Sequence, residues 1–283
     1  MAQALRLFAA YDVTAEIAVL DTGMHPPHLL KEFRESQAAK IAAGGTPQHH
    51  PSLVAELWAD ADRWRKLSDP STMQIFTTIA AVEAVIREME IYYVLREPRE
   101  LGLFRWTLDA KETGAPTNAE DLWKKLVCPF LQGLFLQEPV AGLEGGDYSH
   151  YERSYRSKST ELPDYLRPHL KQGYDPNTDS ITNLRKLMLG DLAFESSEAH
   201  AGLQVADIIG SAMTRAVNRS LGIKGWERLG RLLINRTGSP VRFLALGPGI
   251  EGRQQRELPL RPPVSAVISR LLQSAKSRFP HGS

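Results

Sequence analysis

Apolar residues near the start of the chain fall in short extended runs. Leu5-Arg6-Leu7-Phe8 and Glu16-Ile17-Ala18-Val19-Leu20 read as two strands of one sheet, with Thr22-Gly23 as the stop. Pro26-Pro27 breaks the chain, and His28 to Ala43 then turns helical, with Leu29, Leu30 and Phe33 on one side. Gly44 to Pro51 reads as loop, and Ser52 as the cap of a short helix to about Trp64. A stronger helix starts at Asp69-Pro70, with proline in its first turn. Its Ile75, Ile79, Val82 and Ile86 step by three and four, which buries that face. Tyr92 to Leu95 and Gly102 to Asp109 read as strands. In the second, Phe104, Trp106 and Leu108 share one face, and Leu103, Arg105, Thr107 and Asp109 the other.

Thr117 to Glu120 form a capping box that opens a helix carrying Leu122, Trp123, Leu126 and Val127. Pro129 should kink or interrupt it. Residues 139–180 read as an irregular insertion, and Leu184 to Leu189 as a short helix or strand. Phe194 ends a strand, a polar turn follows, and one well-formed helix runs from Gly202 to Asn218. Trp226 to Ile234 reads as helix, Val241 to Leu246 as a late strand, and Val264 to Leu272 as an amphipathic piece. The order predicts an α/β class, a mixed sheet flanked by helices. Residues 1–250 read as one domain, and 251–283 as a basic Pro/Arg-rich tail with a short helix.

Composition narrows the setting. The 283 residues carry a net charge of +1, so nothing suggests a chain that coats nucleic acid or membrane over its whole surface. A local basic patch remains compatible with that balance. Cys128 is the single cysteine, which rules out a disulfide framework within one chain and fits a reducing compartment. The opening MAQALRLFAAYDV lacks the pattern of a signal peptide, and no apolar run reaches the roughly 18 residues that span a bilayer. These readings predict a cytoplasmic protein with no membrane partner.

Three acids stand where chemistry gathers. On the helix from Gly202, Gln204, Asp207, Ser211, Thr214 and Asn218 share a face that holds no Lys or Glu, and Asp207 is its one charge. An ordinary solvated face usually carries long charged side chains, whereas small neutral groups around one carboxylate suit a cleft or a metal. Asp109 ends the strand GLFRWTLD, where loops gather, although taken alone it reads more simply as a helix or turn cap within DAKETG. Asp21 ends IAVLDTG and by itself is a turn residue before glycine. Carboxylates on separate elements could converge on Mg2+ or Mn2+, which take oxygen ligands and stabilise phosphodiester cleavage.

The stretch SSEAHAGLQVADIIGSAMTRAVN resembles the C-terminal signature of the domain of unknown function 3800 family. The match rests on Ser197, Leu203, Gln204, Ala206, Asp207, Gly210 and Arg215, with Val205 and Ile208 as apolar exchanges. The resemblance implies an RNase H-like fold and a metal-dependent nuclease acting on nucleic acid. It makes Asp207 the helix acid and Asp109 the central-strand acid, both ligands of Mg2+ or Mn2+. The family opens with a strand ending in Asp-Glu-Ser-Gly, which this chain lacks; Leu20-Asp21-Thr22-Gly23 is nearest, and Asp12 is a weaker candidate. Asp21 is therefore the third expected catalytic and metal-binding residue. The alternative is a catalytically inactive member of the same fold that binds nucleic acid or protein.

Other features carry less. His25, His28, His49 and His50 lack the helical spacing or cysteine partners of a zinc site. Cys128 reads as a core residue. Tyr148, Tyr151, Tyr155, Tyr165 and Tyr174, interleaved with Arg153, Arg156 and Lys158, could stack bases or pack back on the domain. Neither a phosphate-loop motif nor Gly-x-Ser-x-Gly is present.

Overall fold

The chain opens as a helix where its pattern predicts a strand. The computed structural model describes residues 1–47, 49–110, 121, 123–140, 142–158, 170, 173, 180–218, 220–235, 240–247 and 262–279. Helix α1 spans Ala2–Ala10 and buries Leu5 and Phe8. Those positions lie three apart, on one face of a helix but on opposite faces of a strand, and the flanking alanines favour helix. Strand β1 is Ile17–Leu20, and a short 3-10 turn, Thr22–Met24, follows it. Helices α2 (Pro27–Ala43) and α3 (Pro51–Arg65) pack against each other. The cap of α3 is His50, whose Nδ1 accepts the Ser52 N–H, rather than Ser52 itself.

Helix α4 runs unbroken from Asp69 to Val94, with Ser68 as cap and Pro70 in its first turn. The strand expected at Tyr92–Leu95 is its last turn. Tyr92 and Val94 are buried there, so the packing of an already formed helix overrides the local strand preference. A 3-10 turn (Pro98–Gly102) leads to β2, which keeps only Trp106–Asp109 of the longer predicted strand. Trp123–Val127 wind as a π-helical turn that passes into α5 (Cys128–Gln137). Pro129 sits in the first turn of α5, so the expected interruption takes the form of this change in winding. The capping box at 117–120 and Leu122 lie outside the described residues.

Within the segment expected to be irregular, α6 (Ser149–Tyr155) and β3 (Arg156–Lys158) are regular, and β4 (Ser180–Thr182) closes it. Then come α7 (Leu184–Leu189), β5 (Leu192–Glu195), α8 (Ala201–Val217) and α9 (Ile223–Gly230). Strands β6 (Ile234–Asn235) and β7 (Val241–Leu244), helix α10 (Pro262–Leu272) and strand β8 (Lys276–Ser277) complete the chain. The helix predicted through Ile234 stops at Gly230. A Cβ there would lie 2.7 Å from the Leu271 carbonyl oxygen, so glycine permits the close approach of α9 and α10.

The strands pair in twos. β1 with β7, β2 with β5 and β6 with β8 are parallel, and β3 with β4 is antiparallel. The fold is a mixed α/β arrangement of helices and small sheets; among the described residues the expected single large sheet is not formed. Two cores result. One surrounds α4, with Ile75, Phe76, Ile79, Val82 and Ile86 against Phe33, Trp64, Leu131 and Leu187. The other surrounds α8, with Ile209, Ala212, Met213 and Ala216 against Leu5, Trp226, Leu233 and Leu271. The β1–β7 pair lies between them: Ile17, Val19, Val241 and Phe243 join the α8 core, while Leu20 and the following Leu246 join the α4 core. Among the described residues no helix is long and apolar enough to cross a membrane.

His25 locks the end of β1 to the end of β7. It is buried, its Nδ1 donates to the Asp21 carbonyl at 2.6 Å, and its Nε2 accepts the Leu246 N–H at 2.8 Å. His25→Ala would leave a buried N–H without an acceptor and is expected to cost about 1–3 kcal/mol. A urea midpoint equal to that of the parent chain would refute this.

Candidate functional site

Trp106 fixes the start of β2. Its ring is buried and its Nε1–H donates to the Leu187 carbonyl at 2.9 Å. Leu108 then packs toward the α4 core, so alternation sends Asp109 to the other face, at the exposed strand end. β5 runs parallel with Asp109 opposite Glu195, and the Ala110 N–H donates to the Glu195 carbonyl at 2.8 Å. Register partners on adjacent strands share a face about 4.8 Å apart. Two carboxylates in that relation repel, which a cation between them relieves.

The turn after β5 is built on Asp109. Its Oδ1 accepts the Ser197 N–H at 3.2 Å. Ser196 Oγ accepts the Glu198 N–H, and the Ser196 carbonyl accepts from Ala199 and His200. His200 Nδ1 caps α8 through the Leu203 N–H, and Gln204 Nε2 donates to the Glu198 carbonyl at 3.1 Å. The polar turn is thus held at one end by the strand acid and at the other by the first turn of α8. Helix α8 packs on β2, buries its apolar side, and leaves Gln204, Asp207, Ser211, Thr214 and Asn218 exposed.

The structure links Asp109 to the start of the helix that carries Asp207. It adds Glu195, which sequence reasoning missed. The strands WTLD and LAFE each end in an acid, but only their pairing makes that meaningful. Asp21 stands apart, on the β1–β7 ladder, where its Oδ1 accepts the Gly23 N–H at 2.9 Å and caps the 3-10 turn. Asp12 adopts φ 51° and pairs with Lys276 Nζ at 2.6 Å.

Among the described residues no group of three or more His, Cys, Asp and Glu side chains is arranged to hold a metal ion. Mg2+ commonly binds through one or two carboxylates with water and substrate oxygens, and the Asp109–Glu195 pair meets that minimum donor set.

Several of the remaining candidates serve structure. His49 Nδ1 accepts the Thr46 N–H, and His50 caps α3. Tyr151 and Tyr155 are buried, and the Tyr155 hydroxyl accepts the Phe104 N–H while donating to the Gly102 carbonyl. These tyrosines pack back on the fold and cannot stack bases; Tyr165 and Tyr174 lie outside the described residues. Cys128 is buried, and burial pushes its thiol up to about 11, which leaves it protonated in the core.

No family model matches the chain, and comparisons with curated proteins and with solved structures returned no match.

Proposed function

We propose that the chain is a metal-dependent phosphodiesterase acting on nucleic acid, on an RNase H-like fold of the kind the domain of unknown function 3800 resemblance implies. One observation carries this reading. Two carboxylates, Asp109 and Glu195, end adjacent parallel strands, and Asp109 is hydrogen-bonded to the turn that starts the Asp207 helix. Asp109 and Glu195 would hold Mg2+ or Mn2+ together with water and substrate oxygens, with Asp207 the helix acid that the resemblance adds; Asp21, at the end of the other ladder, stands outside this set. A divalent ion bound there supplies Lewis-acid stabilisation of the charge that develops on the phosphoryl oxygens. The Ser197 N–H orients the Asp109 carboxylate, and the small neutral side chains along α8 leave room for a backbone to approach.

The test is cleavage of single-stranded DNA, duplex DNA, RNA and RNA–DNA hybrid with Mg2+ and with Mn2+. Asp109→Ala and Asp207→Ala are each expected to lose more than about 100-fold in rate, beyond the range seen when a ligand's hydrogen-bond partner is removed. Asp207→Ala with undiminished cleavage would sink the assignment.

The second reading, a catalytically inactive member that binds nucleic acid or protein, is favoured by the missing Asp-Glu-Ser-Gly. Nucleic-acid binding that persists with chelator, beside no cleavage in either metal, would select it.

A further inference from the structure

We propose that Lys124 is a phosphate-holding residue of this site, gripping the nucleic-acid backbone at a phosphate next to the one the carboxylates address. The proposal rests on the nucleic-acid reading above. It starts from the π-helical turn Trp123–Val127, a winding that is rare and tends to occur where a helix re-aims side chains at a site. Here the turn docks on β5. Trp123 is buried with its ring edge-on to Phe194, centroids 6.3 Å apart, and Lys124 Nζ sits 5.0 Å from the Phe194 centroid. Phe194 immediately precedes Glu195, the register partner of Asp109. The turn therefore delivers an ammonium group to the strand end where the two acids stand.

The next residue is used differently. Lys125 pairs with Asp121 at 2.9 Å in its own turn, whereas among the described residues exposed Lys124 has no carboxylate partner. An aromatic face holds an ammonium in place without neutralising it, and the N–H donors not turned to the ring stay available. Phe194 and Glu195 leave opposite faces of β5, so Lys124 reaches the strand end from the side away from the carboxylates. That separation fits a neighbouring phosphate better than the scissile one. The partner chemistry is then a polyanionic chain: acids for a metal on one side of the strand end, and a fixed cation for the backbone on the other.

The experiment is a titration of the full chain with a fluorescent DNA single strand on the order of 12 nucleotides, a typical site length. It is run over a range of salt with calcium present, for the parent, Lys124→Gln and Lys124→Arg. Each phosphate contact to a single strand contributes about −0.7 to the slope of log K against log salt. Lys124→Gln should flatten the slope by about 0.7 and weaken binding about eightfold at about 50 mM salt, with Lys124→Arg close to the parent. Equal affinity and slope in Lys124→Gln and parent, or no binding by the parent, would overturn the proposal. A merely structural lysine would not move the salt slope. Cleavage by Asp207→Ala, measured in parallel, separates the two claims. Retained cleavage there removes the metal site and leaves the binding data to judge Lys124, while unchanged binding removes Lys124 and leaves the metal site standing.

Discussion

Replacing Glu83 with alanine is expected to lower the unfolding free energy by about 3–5 kcal/mol at neutral pH. Glu83 lies on the inner side of α4, where its Oε1 accepts from Arg87 Nε and its Oε2 from Arg242 Nη1, both at 2.8 Å. Arg242 is on β7, so this carboxylate ties the long helix to the sheet between the two cores. Arg87 also donates to the Glu138 carbonyl at 2.9 Å and lies 4.5 Å over the Phe135 ring, which extends the tie to α5. All three charged side chains are largely withdrawn from water, with 12, 10 and 24 % of Glu83, Arg87 and Arg242 exposed. Removing the acid strands two cations in that environment, a larger loss than the pair's own net worth. Burial pushes the Glu83 carboxyl up, but Arg242 and Arg87 together outweigh it and hold it below the ordinary range. The stability it contributes is therefore present above pH 4.5, its unfolded value, and lost as pH falls through the depressed folded one. Urea denaturation of parent and variant at neutral and acid pH checks both statements. A loss under about 0.5 kcal/mol at neutral pH, the scale of an ordinary surface change, would refute the first.

The charged residues of α4 mark where the sequence stops being legible. The apolar steps Ile75, Ile79, Val82 and Ile86 identify the helix and one buried face correctly. That period assigns no partner to Glu83, Arg87, Glu88 and Glu90, yet Arg87, Glu88 and Glu90 are buried and Glu83 nearly so. Their cover comes from Arg242 on β7, Tyr151 on α6 and Arg278 just after β8, partners more than 50 residues away that no local period reveals. Helices α2, α3 and α8 and strands β1 and β7 follow from local signals, because each has its own cap, period or stop. Leu5 to Phe8 misleads because four residues hold too little period to separate strand from helix. The same limit applies to the candidate site. Asp109 and Asp207 are visible as odd acids on single elements, while Glu195 becomes a partner only through the β2–β5 register. Asp21 looks equivalent to them in sequence, but its strand belongs to the other ladder.

Glu90, two turns beyond Glu83 on the same side of α4, should respond to pH in the opposite sense. Burial pushes its carboxyl from 4.5 up to about 7, against the Tyr151 hydroxyl, Arg156 and Arg87, which pull it down. Tyr151 is itself committed to Thr182, 3.1 Å away, and Glu90 Oε1 has no hydrogen-bond partner among the described residues. A group whose folded value is raised favours the folded state fully below its unfolded value and loses that advantage as pH rises through the folded one. From 4.5 to about 7 the loss amounts to about 3 kcal/mol. Glu90→Gln keeps the shape and an acceptor for Tyr151 but cannot ionise. Its stability relative to the parent should therefore climb between pH 4.5 and pH 8, by about 3 kcal/mol, and stay flat below. The difference between the two chains isolates this group from Glu83, which titrates in the other direction, and from Glu88, which burial also raises. Parallel urea-denaturation curves for parent and Glu90→Gln across that range would show that Glu90 does not change its charge in the folded chain. Opposed pH responses at two positions on one helix follow from how far burial is offset: the hydrogen-bonded Arg87 and Arg242 outweigh it at Glu83, while the Tyr151 hydroxyl with Arg156 and Arg87 does not at Glu90.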